Sequence, residues 1–277
     1  MAQNYSAAHL SEIDERFTTE SKVAPIINKG IRLDFNGKKS VTIYNVDVVA
    51  EVDYVRAGTN RFGTLIELGT GEQTFTLSQD KSFTFTVDRG NLNDSQMVQE
   101  AHKAVKRQVR EVSIPNTDKY VLATLVAYAV ANSQVDATGI TNTTAYQKFL
   151  GLQASMDDAE VPADERVTFL TPGAHNLLKR DPEFIKSCDT AYKDLKKGII
   201  GEVDGNTLIK VPTSWVPLKT NFLTVYTKVA VVPKKFDMVR VLEEVQGIDG
   251  AVAEGRRYYD AFIPKNKAKG IWVQKEA

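Results

Sequence analysis

Apolar and polar residues alternate along three stretches near the start of the chain: Ser40-Val41-Thr42-Ile43-Tyr44-Asn45-Val46, Thr74-Phe75-Thr76-Leu77-Ser78 and Ser82-Phe83-Thr84-Phe85-Thr86-Val87. A period of two in β-branched and aromatic residues predicts strands with one apolar and one polar face. Between the first two, Tyr54–Gly71 carries Gly58, Gly63, Gly69 and Gly71 among charged residues, the composition of a long excursion rather than of a tight hairpin. A two-stranded ribbon with a glycine-rich tip cannot form a core alone, so its apolar face needs another surface. Upstream, Leu10, Ile13, Phe17, Val23, Ile26 and Ile27 are scattered without a sustained period, and Pro25 breaks any helix begun at the Ser11-x-x-Asp14 capping pair. Residues 1–35 therefore read as an arm that frays or lies on a neighbour.

The period then changes to helical. Met97, Val98, Ala101, Val105, Val109 and Val112 share one face behind a cap at Asn93 or Asp94, and Lys103, Lys106, Arg107 and Arg110 crowd the rest. Pro115 is expected to end this helix, which at about 20 residues would be roughly 30 Å long. Beyond it the pattern is mixed. Thr117 caps a helix to about residue 132 with Val121, Leu122, Leu125, Val126 and Ala129 inward, and another spans about 144–157. Arg166–Leu170 reads as a short buried strand. Thr171-Pro172 and Asp181-Pro182 each pair a capping side chain with a proline at the first helical position, opening helices at 173–180 and 183–189. Asp204-Gly205-Asn206 joins strands 199–203 and 207–211 as a hairpin. Strands follow at 222–232 and 238–243, and residues 254–273 read as a strand pair around Pro264-Lys265-Asn266.

Charge narrows the function classes. Lys+Arg 35 against Asp+Glu 35 gives a formal net charge of zero, without the basic excess that gripping nucleic acid through its phosphates requires. A neutral surface opposes self-association only weakly. The lone Cys188 permits neither an intrachain disulfide nor a cysteine-based metal site, and a reducing compartment such as a bacterial cytoplasm fits. Residues 1–11 lack a signal-peptide pattern, and the longest strongly apolar stretch, residues 120–131, is too short to span a bilayer.

Chemistry-bearing motifs are scarce. His9, His102 and His175 are isolated; His102 reads as solvated and His175, in the first turn of a helix, as a local hydrogen-bonding residue. Cys188 has no nucleophile motif around it and reads as a partly buried thiol. Gly69-Thr70-Gly71-Glu72 opens no helix and Gly198-Ile199-Ile200-Gly201 precedes a strand, so neither is a nucleotide loop. Asp157-Asp158 and Glu243-Glu244 read as solvated charges, and Lys193-Asp194-Leu195-Lys196-Lys197 as an exposed loop or an intersubunit or DNA-facing contact. No catalytic, cofactor-binding or metal-binding residue is assigned, and a structural role is expected.

The order of elements, and several local phrases, resemble a known family. Thr171-Pro172-Gly173-Ala174-His175-Asn176-Leu177-Leu178 followed by Asp181-Pro182-Glu183-Phe184 resembles a helix pair of phage capsid subunits. So do the hairpin Gly198–Gly205 followed by Leu208-Ile209-Lys210-Val211-Pro212, the stretch Val229–Lys235 ahead of Val239-Arg240-Val241, and Glu254-Gly255-Arg256-Arg257-Tyr258-Tyr259-Asp260-Ala261. Nearly the whole chain is similar to the HK97-type major capsid fold of tailed bacteriophages, an α+β fold. The resemblance implies an N-terminal arm at 1–35, an extended β-ribbon loop at 36–90, a peripheral domain with its spine helix at 91–116, an axial α/β domain at 117–240, and strands returning to the periphery at 241–277. It implies a non-enzymatic subunit without cofactors that self-assembles into pentamers and hexamers of an icosahedral virion shell, built in the host cytoplasm around double-stranded DNA. No membrane is involved, and a separate scaffolding protein, a portal and decoration proteins are possible partners. The candidate intersubunit contacts are Tyr54, Arg56, Arg61, Phe62, Phe75, Phe83, Phe85, Lys103, Arg107 and Arg110. Lys38, Lys39 and Lys81 lie in or near the loop, where some members form a crosslink, but nothing selects one of them. The alternatives are an encapsulin-type cargo shell, which has the same fold, and a small α/β enzyme with a pocket near His175.

Overall fold

The computed structural model describes residues 21–28, 30–31, 34–36, 39–46, 48–90, 101–187, 199–242 and 245–276. The chain divides into two units: residues 30–78, and residues 1–29 with 79–277.

The smaller unit holds a three-stranded antiparallel sheet, β1 (Asp34–Asn36), β2 (Ser40–Val46) and β3 (Thr70–Thr76), in that order. Ser40 pairs with Thr76 and Val46 with Thr70, so β2 and β3 are the two sides of the expected ribbon. Alternation sends Val41 and Ile43 inward with Leu77, all three buried. Residues 48–69, between the strands, form the loop. Its tip is closed by Val55 N–H donating to the Arg61 carbonyl (3.0 Å) and Gly63 N–H to that of Asn60 (2.9 Å). Gly63 is needed twice over: its φ is +87°, and a Cβ there would lie 2.6 Å from Val52 Cγ2.

In the larger unit, β4 (Gln79–Asp88) is followed by α1 (Ala101–Gln108), a π-turn (Val109–Ser113) and α2 (Ile114–Ala131) without a break. The expected stop at Pro115 and fresh cap at Thr117 are thus corrected. Proline lacks an N–H and cannot continue the i→i−4 ladder. In the π-turn Ile114 N–H instead reaches back to the Val109 carbonyl, leaving Pro115 in the first turn of α2, where its missing donor costs little. Thr117 caps nothing; its hydroxyl donates to the Ser113 carbonyl (2.9 Å). The described helical run, Ala101–Ala131, reaches roughly 46 Å at about 1.5 Å per residue. Asn93, Asp94, Met97 and Val98 lie outside the described residues.

A six-stranded sheet follows, ordered β5 (Val135–Asp136), β12 (Ile271–Lys275), β9 (Thr220–Tyr226), β6 (Arg166–Leu170), β8 (Asn206–Lys210) and β7 (Ile199–Val203). One face packs Val167, Phe169, Leu223 and Val225 against Leu122, Leu125 and Ala129 of α2. The other packs Leu170, Leu208 and Phe222 against Phe149 and Leu152 of α3 (Ala145–Asp158) and Leu178 of α4 (Pro172–Arg180). Covered on both faces, β6 is buried along its whole length. Thr168 and Thr224 bond their hydroxyls to each other inside it (3.0 Å).

The local devices stand as expected. Thr171 accepts from Ala174 N–H (3.3 Å) to cap α4, and Asp181 accepts from Glu183 N–H (3.0 Å) ahead of α5 (Pro182–Ser187). Asp204 and Gly205 both have positive φ (52° and 73°), the conformation of a type I′ hairpin turn.

Three expectations are corrected. Strand β4, which alternation grouped with the ribbon, pairs over its full length with β11 (Gly250–Tyr259), whose other side carries β10 (Lys234–Leu242). Residues 254–273 are not a strand pair: β11 belongs to this second sheet, and β12 joins β9 and β5 after a turn of 3₁₀ helix at Lys265–Gly270. The base of the arm lies on its own core. Val23 and Ile26 are fully buried there, and Asn28 N–H donates to the Ala230 carbonyl (2.7 Å).

Candidate assembly surfaces

The loop is the most apolar exposed region described. Val48, Val52, Tyr54, Phe62, Leu65, Ile66 and Leu68 are all exposed, Phe62 at 85% and Leu65 at 96%. One isolated exposed leucine is unremarkable; a contiguous set on a unit with three buried apolar side chains among its described residues marks an interaction surface. Tyr54 and Phe62 meet edge to face at 5.0 Å across the tip. Arg61 Nε donates to the Gly58 carbonyl (3.1 Å), bracing the turn, and Arg56 is exposed beside it. Phe75, on β3 opposite Val41, is half-buried.

The remaining candidate contacts belong to the larger unit. Phe83 and Phe85 stack on β4 (6.3 Å), and Phe83 lies on the backbone of Gly255, where a Cβ would come within 2.3 Å of its ring. Lys103 and Arg110 are exposed on the helical run, while Arg107 Nε holds Glu111 (2.7 Å) one turn on. A groove of about 450 Å³ separates the middle of this run from β4 and β11. Its walls include Lys81, Phe83, Gln108, Val112, Asn116 and Tyr120.

Alternation and period could not reveal the polar groups that hold the groove's floor, because their partners are far away in sequence. Tyr120 donates its hydroxyl to Asp260 (2.6 Å) and stands edge-on to Tyr259. Arg257 pairs with Asp237 (3.2 Å) and reaches the Thr117 hydroxyl (3.4 Å). Asp118, one residue beyond Thr117, is buried and accepts from Ser21 Oγ (2.9 Å) and Lys22 N–H (2.8 Å), fastening the arm base to α2. Burial pushes the Asp118 carboxyl up and the Lys22 ammonium down from their usual ranges.

Chemistry is sparse among the described residues. No group of three or more His, Cys, Asp or Glu could hold a metal ion, and no helix is long and apolar enough to cross a membrane. His175 is buried, its Nε2 has no hydrogen-bond partner among the described residues, and its main-chain N–H donates to the Thr171 carbonyl. Burial, then Lys179 and Lys210, push its pKa down to about 4. Asp157 is not simply solvated: it anchors the buried Arg166, whose guanidinium also bonds Gln153 and the carbonyls of Val161 and Pro162. His9, the side chain of His102, Cys188, Lys193–Lys197, Lys38 and Glu243-Glu244 lie outside the described residues.

No protein-family model and no curated protein matches the chain. Solved structures do. A chain from Mycobacterium phage Che8 superposes with a TM-score of 0.71 at 18% identity, covering 99% of this chain and 98% of that one. The capsid structure of Cyanophage P-SCSP1u gives 0.72 at 10% identity over 99% and 93% of the two chains. The head structure of Helicobacter pylori bacteriophage KHP40 gives 0.64 at 10% identity over 100% and 95%. A likeness of that extent at such low identity is one of backbone path. From arm base to last strand, the chain has the fold of the subunits in phage capsids.

Proposed function

We propose that this chain is the major capsid protein of a bacteriophage, assembling into pentamers and hexamers of an icosahedral shell around double-stranded DNA in the host cytoplasm. The observation that carries this reading is the exposed apolar loop at residues 48–68, held on a unit whose described residues bury only Val41, Ile43 and Leu77 as apolar core. In the proposal it is the extended loop of an HK97-type subunit, the helical run from Ala101 is the spine helix, and the six-stranded layer is the axial domain. The loop of one copy covers the spine-helix region of the next, where the groove beside Phe83 and Tyr120 offers aromatic and aliphatic walls. Tyr54, Phe62, Phe75 and Phe85 supply apolar contact and Arg56, Arg61, Lys103, Arg107 and Arg110 set its register. Donor and acceptor are different surfaces, so the contact is heterologous and propagates around a ring until it closes. The wall confines the DNA by enclosure, consistent with a net charge of zero. Scaffolding, portal and decoration proteins are the partners such a shell would meet.

Negative-stain microscopy of the purified protein tests this. Shells, tubes or rings are expected from the full chain, and none from a variant lacking residues 55–71, whose circular dichroism should still report a folded larger unit. A full chain that stays monomeric at high concentration, or normal shells from the deletion, would overturn the reading.

A further inference from the structure

Opposite charges are segregated along this chain although they cancel in sum. Residues 157–165 hold five carboxylates and no cation, whereas from Ala261 to Lys275 there are four lysines and no carboxylate. The fold brings both blocks to one end of the six-stranded sheet. Residues 157–165 lead into β6 and Lys228 follows β9, while Lys265, Lys267 and Lys269 lie on the 3₁₀ turn that enters β12. With β12, β9 and β6 adjacent in that order, the lysines share the β12–β9 corner and the acids begin one strand further on.

The lysine corner is firmly built. Lys267 N–H donates to the Pro264 carbonyl (2.9 Å), and Gln134 Nε2 to that of Ala268 (3.0 Å). Gly270 lies so close to Val229 that a Cβ would come within 2.8 Å of its Cγ2. The Lys267 ammonium donates to the Lys228 carbonyl (2.9 Å). Burial, and then the positive charge of Lys228, push that ammonium down from its usual range. Pairing within the chain covers part of the charge: Lys228 holds Glu165 (2.7 Å), and Lys265 has a contact of its own. Lys228, Lys265 and Lys269 are exposed all the same, and Lys267 half-buried, so the corner presents four ammoniums beside the one carboxylate of Glu165.

Such a surface suits a polyanion. Lysines are point charges without the fork of an arginine, and contacts of this kind follow a phosphate backbone without reading sequence. Among the described residues of the larger unit no Phe, Tyr or Trp ring is exposed, so single-stranded bases have no platform to stack on and a duplex is favoured. A six-residue 3₁₀ turn at about 2 Å per residue spans roughly 12 Å, and a duplex presents a phosphate charge about every 1.7 Å of its axis.

We propose that the Lys265–Gly270 turn, with Lys228, touches the phosphate backbone of the enclosed double-stranded DNA. The inference rests on the shell reading above and identifies the corner of the subunit that points inward. It is compatible with a neutral chain: a few contacts per copy steady the outermost DNA, while the wall does the confining.

Binding of a double-stranded DNA fragment by the full-length protein, followed by fluorescence anisotropy over a tenfold range of salt, tests the proposal. With about three phosphates neutralised, the affinity should fall roughly 500-fold across that range. Lys228→Gln, Lys265→Gln, Lys267→Gln and Lys269→Gln together should weaken binding at low salt at least tenfold and flatten the salt dependence, and arginine at the same four positions should preserve both. Bound DNA should slow acetylation of Lys265, Lys267 and Lys269 at least fivefold, read by mass spectrometry. No binding by the unaltered chain overturns the proposal, as does undiminished binding by the glutamine variant or protection of other lysines alone. Poly-glutamate that protects the turn as well as DNA does so too, since the surface then takes an acidic polypeptide. The glutamine variant should still form particles at the unaltered concentration; their loss with a normal melting transition would make the turn an intersubunit contact and overturn the assignment. If the unaltered chain binds DNA through the turn yet forms no particles, the shell reading falls and the phosphate contact stands.

Discussion

Phe62 and Leu65 give the sharpest separation between folding and assembly. Both are almost fully solvated in the single chain, so replacing them with serine removes little that supports its own fold. Surface changes of this kind stay within about 0.5 kcal/mol, apart from the Tyr54–Phe62 ring contact, which is local to the tip. If a neighbouring copy covers them, each contributes about 1.5–3 kcal/mol of burial per contact. The double variant Phe62→Ser/Leu65→Ser then loses about 3–6 kcal/mol at every loop contact, a factor of roughly 10² to 10⁴ in the pairwise association constant. Each copy donates one loop, so the threshold concentration for particles should rise by at least two orders of magnitude. Light scattering against concentration measures that threshold, sedimentation velocity identifies the species below it, and far-ultraviolet circular dichroism follows melting of the subunit. Particles forming at the unaltered threshold would mean that this surface stays wet in the assembly. A collapse of the melting transition would mean that the two residues serve the chain's own fold. Either result refutes the reasoning.

Two further predictions concern the six-stranded layer. Replacing Arg166→Met removes the donor that serves the buried Gln153 amide and the part-buried carbonyls of Val161 and Pro162, and should lower stability by about 3 kcal/mol, read as a shift in the urea midpoint at constant slope. The value sits at the low end for a broken buried pair because Asp157 keeps much of its contact with water. His175 sets a pH dependence. Its folded pKa of about 4 lies below the ordinary 6.5, so between those values the unfolded chain binds a proton that the folded one refuses. Stability therefore falls as pH drops through that window, by up to about 3 kcal/mol, and levels off beneath it. His175→Gln should remove that component, and an unchanged slope of denaturation midpoint against pH between 4 and 6.5 would refute it.

What could be read from the residues, and what could not, divides by distance along the chain. The Asp204-Gly205 turn, the Thr171 cap and the inward face of α2 are set by neighbours within a few positions, and they are as expected. The alternating β4 was identified as a strand, but its partner β11 lies more than 160 residues away, and two strands of equal pattern are interchangeable until a sheet selects one. Arg166 is a similar case. It was read within a buried strand, but the groups that compensate its charge there, Asp157 and the carbonyls of Val161 and Pro162, come from outside that strand. Pro115 misled because the rule that proline ends a helix has a second solution: a π-turn that moves the ladder by one residue and lets a new helical segment begin at the proline. The exposed loop was visible through its glycines and alternating flanks, whereas the groove's floor depends on Tyr120 and Asp260, 140 positions apart.

The uneven distribution of burial has a consequence for how folding and assembly are coupled. The six-stranded layer is covered on both faces and includes twelve of the largest fully buried side chains with its packed helices and arm base. Its stability belongs to one chain, and damage to Phe222 or Arg166 should reach assembly only by way of unfolding. Among its described residues, the unit at 30–78 has Val41, Ile43 and Leu77 inside and a longer list of apolar side chains outside. So small a core cannot offset the entropy of holding a twenty-residue loop in one conformation. In the proposed shell, the remaining order comes from the neighbour, and the concentration of subunits becomes a term in the loop's stability. A chain of zero net charge supplies no long-range repulsion to delay that encounter, so discrimination against wrong contacts has to be local.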